Sequence, residues 1–122
     1  MANATVKIPF SGSTQGKPIK IAQTSTPGTA IHTTGTSATV VDAIYLWAFN
    51  SDTVDRTLTI EFGGVSAPDQ NVVLTVPFKQ GLVYVIDGLI LLGNGSTGLA
   101  VTGFASSANV ITVSGFVLRT TP

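Results

Sequence analysis

Few residues in this 122-residue chain could carry acid–base or metal chemistry: it has one histidine, His32, and no cysteine. A histidine within reach of a serine and an aspartate could activate a nucleophile, and all three residue types are present. The Gly-x-Ser-x-Gly turn that commonly exposes such a serine is missing, however. His32 lies among Ile31, Thr33 and Thr34. This setting favours a strand histidine bonded to a hydroxyl or backbone group over a catalytic base.

The acidic residues are the other candidates for chemistry. Asp52 and Asp55 share a turn and could offer oxygen ligands to calcium, but a loop with acids at alternating positions is absent and turn aspartates commonly bond their own backbone. Asp42 and Glu61 lie on predicted strands and would serve glycoside hydrolysis only if they converged, which the sequence does not indicate. We therefore expect no enzymatic activity, metal, cofactor or small-molecule substrate. The six acids are Asp42, Asp52, Asp55, Glu61, Asp69 and Asp87.

The composition is poor in charge, with 10% charged and 43% hydrophobic residues and a net charge of zero. An average globular protein has about 25% charged residues. Since charged residues are depleted at the cores of interfaces, we expect much of this surface to become interface; an ordinary threonine-rich β-protein is the alternative. No basic stripe for nucleic acid is present. The longest apolar stretch, 40–49, is too short to span a membrane.

The N-terminus lacks the charged region and apolar run of a signal peptide. We therefore expect a protein that is made and used without classical secretion.

A period-2 alternation of apolar and polar residues runs through the chain, interrupted by Gly, Pro, Asn and Asp. Short strands at this spacing predict an all-β antiparallel sandwich, jelly-roll-like, with eight to ten short strands in a single domain, 1–122. The order of an immunoglobulin-like sandwich stays open. The predicted strands are 5–10, 18–23, 29–34, 39–50, 56–62, 71–76, 82–86, 89–92, 99–105 and 110–119.

The strand at 39–50 is apolar on both faces, as expected of a central strand covered on both sides or of a face at a subunit contact. One face carries Tyr45, Trp47 and Phe49. We expect these three residues to form core or inter-subunit packing, and a sugar-stacking platform is the alternative. In the strand at 56–62, the alternation predicts Leu58, Ile60 and Phe62 inside and Arg56, Thr57, Thr59 and Glu61 mostly outside.

Residues 1–16 combine an alternating segment with a Ser/Gly loop. Such a segment is either the first strand of its own sheet or an extended N-terminal arm that adds to a neighbour's sheet. We expect it to contact a partner or a neighbouring subunit through Thr5, Val6, Lys7, Ile8, Pro9 and Phe10.

Several strand and turn segments together resemble a known family. They are 28–33, 41–50, 58–64, Pro77, 81–83, 88–91 and 109–117. The combination resembles the capsid decoration, or cement, proteins of tailed bacteriophages, and residues before Thr24 match least. The resemblance implies a sandwich or jelly-roll virion protein that binds the major capsid protein shell as a homotrimer and stabilises the head. It also implies synthesis in the host cytoplasm and a place on the capsid surface.

Two other functional classes stay open. One is another phage structural component, such as a head fibre base or a tail adaptor, although no fibrous segment is present. The other is a carbohydrate-binding β-sandwich module, which would need exposed aromatic rings.

Overall fold

The computed structural model describes residues 3–122, and within them the chain is all-β, with nine strands in two antiparallel sheets. The first residues of the predicted arm, Met1 and Ala2, lie outside the described range. Most strands fall within two residues of their predicted bounds. The strands are β1 (Ala4–Ile8), β2 (Ile19–Lys20), β3 (Thr29–Thr33), β4 (Val41–Asn50), β5 (Arg56–Phe62), β6 (Asn71–Val76), β7 (Val83–Leu91), β8 (Ala100–Ala105) and β9 (Ile111–Thr121).

The pairing of the strands is nested along the chain. The first sheet has the order β1-β9-β4-β7, and the short strand β2 also pairs with β9. The second sheet has the order β3-β8-β5-β6. The pairs β1–β9, β3–β8, β4–β7 and β5–β6 therefore lie one inside another in sequence, as in a long hairpin that has been wound into two sheets.

One hydrophobic core takes side chains from both sheets. Ile44 and Leu46 of the first sheet and Leu58 and Ile60 of the second are fully buried in it. On β4, burial alternates strictly, and the inward set runs from Asp42 to Asn50. Asp42 and Asn50, the polar residues at the two ends of this set, can be buried because each has hydrogen-bond partners. Asn50 Nδ2 donates to the carbonyl oxygens of Val54 and Val76 at 3.0 and 2.9 Å.

The sequence predicts a hairpin turn at Asp87-Gly88 between the strands 82–86 and 89–92, and this prediction was wrong, because β7 continues through the dipeptide. Gly88 is an extra residue in β7: Tyr45 pairs with Asp87 and the preceding Ile44 pairs with Leu89. Its φ of 80° is the left-handed conformation that suits a β-bulge. A Cβ at this position would lie 2.9 Å from the Tyr45 hydroxyl, so glycine also permits the close approach of β4.

The N-terminal segment is an edge strand of its own sheet. Residues of β1 pair with β9, from Ala4 opposite Thr121 to Ile8 opposite Val117. The backbone then turns inward, and Phe10 is buried in the chain's own core. Phe10 is therefore a core residue and not part of a contact surface, which corrects the expectation for that position. Thr5, Val6, Lys7 and Pro9 are exposed.

Candidate functional site: a buried polar network and an uncharged sheet face

A buried polar network joins the two sheets at one end of the core. Asp42 of β4 accepts hydrogen bonds from Arg119 Nε at 2.7 Å and Arg119 Nη2 at 2.8 Å. The other neighbour of Asp42 is His32 of β3, whose Nε2 lies 2.8 Å from Asp42 Oδ2. Burial alone would raise the pKa of Asp42, but its bonds with Arg119 and His32 outweigh it and hold the pKa below the ordinary 3.8.

Both ring nitrogens of His32 have partners. The backbone N–H of Ser11 donates to Nδ1 at 3.1 Å, so Nε2 carries the proton that is donated to Asp42. The Ser11 hydroxyl instead accepts from the backbone N–H of Thr33 at 2.8 Å. The Ser11 hydroxyl is therefore not bonded to His32, and Ser11, His32 and Asp42 do not form the hydrogen-bonded Ser-His-Asp chain that the composition allowed. These contacts tie the segment after β1 to β3 of the second sheet, and His32 in turn bonds Asp42 of the first sheet.

Glu61 is buried on β5, and the prediction that it lies outside was wrong. Its carboxylate accepts hydrogen bonds from the hydroxyls of Thr26 and Thr102 and from the Gly28 N–H. Burial would raise the pKa of Glu61, but these three donors outweigh it and hold the pKa below the ordinary 4.5. Thr59 is buried as well, also against the prediction. Asp42 and Glu61 share no hydrogen-bond partner, so the two carboxylates form separate sites.

The remaining acids form turns and surface contacts. Asp52 bonds the Thr53 N–H and the guanidinium of Arg56, and Asp55 accepts from the Phe78 N–H. In residues 3–122, no group of three or more His, Cys, Asp or Glu side chains is placed to hold a metal ion, and no pocket is detected. The same part of the chain contains no helix long and apolar enough to cross a membrane.

The outer face of the first sheet is the side of β4 and β9 that points away from the core. No charged side chain lies on this face of the two central strands. Its residues on β4 are only partly buried, although most of them are large and apolar. The outer face consists of Val41, Ala43, Tyr45, Trp47 and Phe49 on β4 and of Thr112, Ser114, Phe116, Leu118 and Thr120 on β9.

The aromatic rings of the outer face stand upright against one another. Trp47 stacks on Tyr84 of β7 with ring centroids 4.7 Å apart and planes at 4°, and Tyr45 stacks on Phe116 at 4.8 Å and 18°. These separations match the spacing of neighbouring strands, so the rings face each other and turn their edges to solvent. Trp47 also contacts Phe116 on its other side, at 6.0 Å. A sugar-stacking platform needs a ring face turned to solvent, and Trp47 does not present one.

Lys7 and Lys20 flank the outer face on the side of β1 and β2, and Asp87 flanks it on the side of β7. On the β1 side, Lys7 Nζ lies 4.5 Å from the centre of the Phe116 ring. On the β7 side, Asp87 Oδ1 accepts a hydrogen bond from the Tyr84 hydroxyl at 2.7 Å. This bond, together with some burial and the nearby negative charge, raises the pKa of Tyr84 to about 12. The apolar surface continues on β7, where Ile90 is exposed.

Tyr45, Trp47 and Phe49 lie on the outer face and not in the core between the sheets. The core alternative for these three residues is therefore corrected, and packing between subunits stays a proposal. The partners of this row, Phe116 and Tyr84, were not singled out from the sequence. The alternation of Thr112, Ser114, Phe116 and Leu118 on the last strand was the signal that could have located Phe116.

Comparison of the chain with protein-family models, curated proteins and solved structures found no match.

Proposed function

We propose that this protein is a bacteriophage capsid decoration protein that binds the major capsid protein shell as a homotrimer and stabilises the head. The observation that carries the proposal is the outer face, which is rich in aromatic residues and free of charge over two central strands. Interface cores are depleted of charge and enriched in aromatic residues. Polar side chains such as His32 and Glu61 have structural roles inside the fold. A protein that acts by attachment needs no reactive site.

The second part of the proposal concerns the architecture, which we assign to the jelly-roll class. A jelly roll has two stacked sheets whose strands derive from a long hairpin. The nested pairs and the two sheet orders described above support this arrangement, with β2 as a short addition beside β9. The shared core of the two sheets supports their stacking face to face. This architecture is common in viral capsid domains, which agrees with the proposed function.

Attachment to the shell is assigned to the edge of the first sheet at β1. This edge strand is exposed over most of its length, and Val6, which is 54% exposed, points to the face of β1 opposite to that of Lys7. An exposed strand edge can bind another chain through backbone hydrogen bonds. Three such edges in a trimer would act together, so modest contacts by each subunit would sum to firm attachment.

The test is binding of the purified protein to expanded capsid shells that lack it, measured by co-sedimentation. We expect saturable binding by the wild type and loss of binding by Val6→Asp. The matched control is Val73→Asp, because Val73 is 61% exposed on β6, at an edge of the other sheet. We also expect virions that lack the protein to release their DNA at lower temperature. Failure of the wild type to bind shells, or mutant virions as stable as the wild type, would refute the function.

Binding to purified tails or fibres in the same assay would assign the chain to another structural part of the virion. Quenching of the Trp47 fluorescence by soluble sugars, with no binding to shells, would instead favour a carbohydrate-binding module.

A further inference from the structure

We infer that the outer face is the interface between copies of this chain, in a three-fold ring whose axis runs along the strands, with Lys7 of one copy paired to Asp87 of the next. The inference rests on the proposed homotrimer and assigns the surface that holds it together. The occupant of the outer face is a second copy of the chain.

Charge is unevenly distributed across the first sheet. The ten outer-face positions of β4 and β9 carry no charge. The flanking strands carry opposite charges, with Lys7 on β1 and Lys20 on β2 at one side and Asp87 on β7 at the other. In a cyclic assembly, one side of each face meets the opposite side of the face of its neighbour. A ring of identical copies therefore brings a lysine to an aspartate at every contact.

Lys7 and Asp87 lie at the same level along the strands. Phe116, Tyr45 and Asp87 are paired in a row across β9, β4 and β7. Lys7 Nζ reaches this row because it lies over the Phe116 ring. Rotation about an axis parallel to the strands leaves this level unchanged, so Lys7 of one copy stays in line with Asp87 of the next. Asp87 Oδ1 holds the Tyr84 bond, and Oδ2 can accept the lysine.

The width of the first sheet suits three copies. The sheet is four strands wide, because β1 and β2 lie on the same side of β9. Strands are about 4.8 Å apart, so the sheet is about 15 to 19 Å wide. If three such sheets form the sides of a triangular prism, each sheet lies about 5 Å from the central axis. This distance is half of the spacing of about 10 Å that separates two packed sheets. The aromatic side chains therefore fill the space inside three copies, whereas four copies would leave a channel.

The experiment measures the native mass over a range of concentrations by size-exclusion chromatography with light scattering. The variants are Lys7→Asp, Asp87→Lys and the two together. The matched control is Lys20→Asp: Lys20 pairs with Thr112 on the same side of the sheet, four residues along β9 from Phe116, or roughly 13 Å. All the substitutions are at exposed positions, and circular dichroism verifies that each variant is folded.

We expect a wild type of three times the 12.5 kDa chain mass. Each single reversal places like charges opposite one another and should weaken association by more than about tenfold. The double reversal should restore it, and Lys20→Asp should remain trimeric. A wild-type monomer or dimer, single reversals that remain trimeric, or a double reversal that fails to restore the trimer would each overturn the inference. A trimer that does not bind shells would refute only the capsid function, whereas a monomer that binds shells would refute the homotrimer and this interface but not the binding to the capsid.

Discussion

The buried carboxylate of Asp42 provides the sharpest test of what holds the two sheets together. The change is Asp42→Asn, which preserves the size of the side chain and removes its charge. Asp42 is 1% exposed and contacts Arg119 of its own sheet and His32 of the other sheet through three hydrogen bonds. Asparagine retains one acceptor oxygen, and its amide group would place N–H donors against either the guanidinium or the His32 N–H.

The expected loss follows from these contacts. Hydrogen bonds to charged groups contribute about 1.5 to 3 kcal/mol each, and breaking a buried ion pair costs about 3 to 5 kcal/mol. The Arg119 side chain is 31% exposed, so water can rehydrate it in the variant and the loss falls at the lower end. We expect Asp42→Asn to lower the free energy of unfolding by about 3 kcal/mol.

The assay is equilibrium unfolding in urea at pH 7, followed by circular dichroism. The matched control is Asp52→Asn, because Asp52 also pairs with an arginine, Arg56, in a contact of 2.6 Å. The Asp52 side chain is 21% exposed whereas that of Asp42 is 1% exposed, so removal of the Asp52 charge should change the stability less. A loss below about 1 kcal/mol for Asp42→Asn, or equal losses for the two variants, would refute the reasoning that burial gives the inner pair its strength.

Three further predictions concern ionisable groups. Glu61→Gln should lower the free energy of unfolding by about 2 kcal/mol, since an amide cannot accept all three of the donors around it; Asp69→Asn at an exposed turn should be neutral in the same urea titration. Because Asp42 and Glu61 have folded-state pKa values below the ordinary 3.8 and 4.5, they contribute stability above those values and lose it as the pH falls through the lower folded pKa. The free energy of unfolding of the wild type should therefore decrease as the pH falls below about 4.5. Replacement of both acids by their amides should make this decrease smaller, and an unchanged decrease would contradict the assignment. Asp87→Asn should lower the pKa of Tyr84 from about 12 toward its ordinary value of 10.0, as measured by tyrosinate absorbance, and the pKa should not move if the bond is absent in solution.

The sequence predicted the strands well where alternation and breakers agreed. The strand 71–76 ends before Pro77, as expected of a residue that has no N–H to donate. On β4 both faces are largely apolar, and the one that carries Asp42 and Asn50 faces the core, so alternation could not decide which face is inside. That choice depends on partners distant in sequence, since Asp42 finds Arg119 on β9 and His32 on β3.

The errors have one physical cause, which is that local patterns do not include tertiary partners. Glu61 reads as an exposed strand residue because a lone carboxylate avoids burial, but Thr26, Gly28 and Thr102 supply its donors. Asp87-Gly88 has the composition of a hairpin turn, yet β4 extends beside it and turns the glycine into a bulge. The matching levels of Lys7 and Asp87 depend on strand register, which the sequence does not specify.

The nested pairing of the strands also determines how the chain must fold. The central ladder joins β4 to β9, with Asn50 opposite Ile111 and Val41 opposite Thr120, so its two halves are separated by half the chain or more. Closing so large a loop costs entropy before any contact repays it, and chains with such distant pairings fold slowly, on the order of milliseconds to seconds. Until β9 pairs with it, β4 lacks its longest ladder of hydrogen bonds and its apolar faces are exposed to solvent. The folding route is therefore the stage at which this chain is most prone to aggregate, and rapid dilution at low concentration should increase the refolding yield.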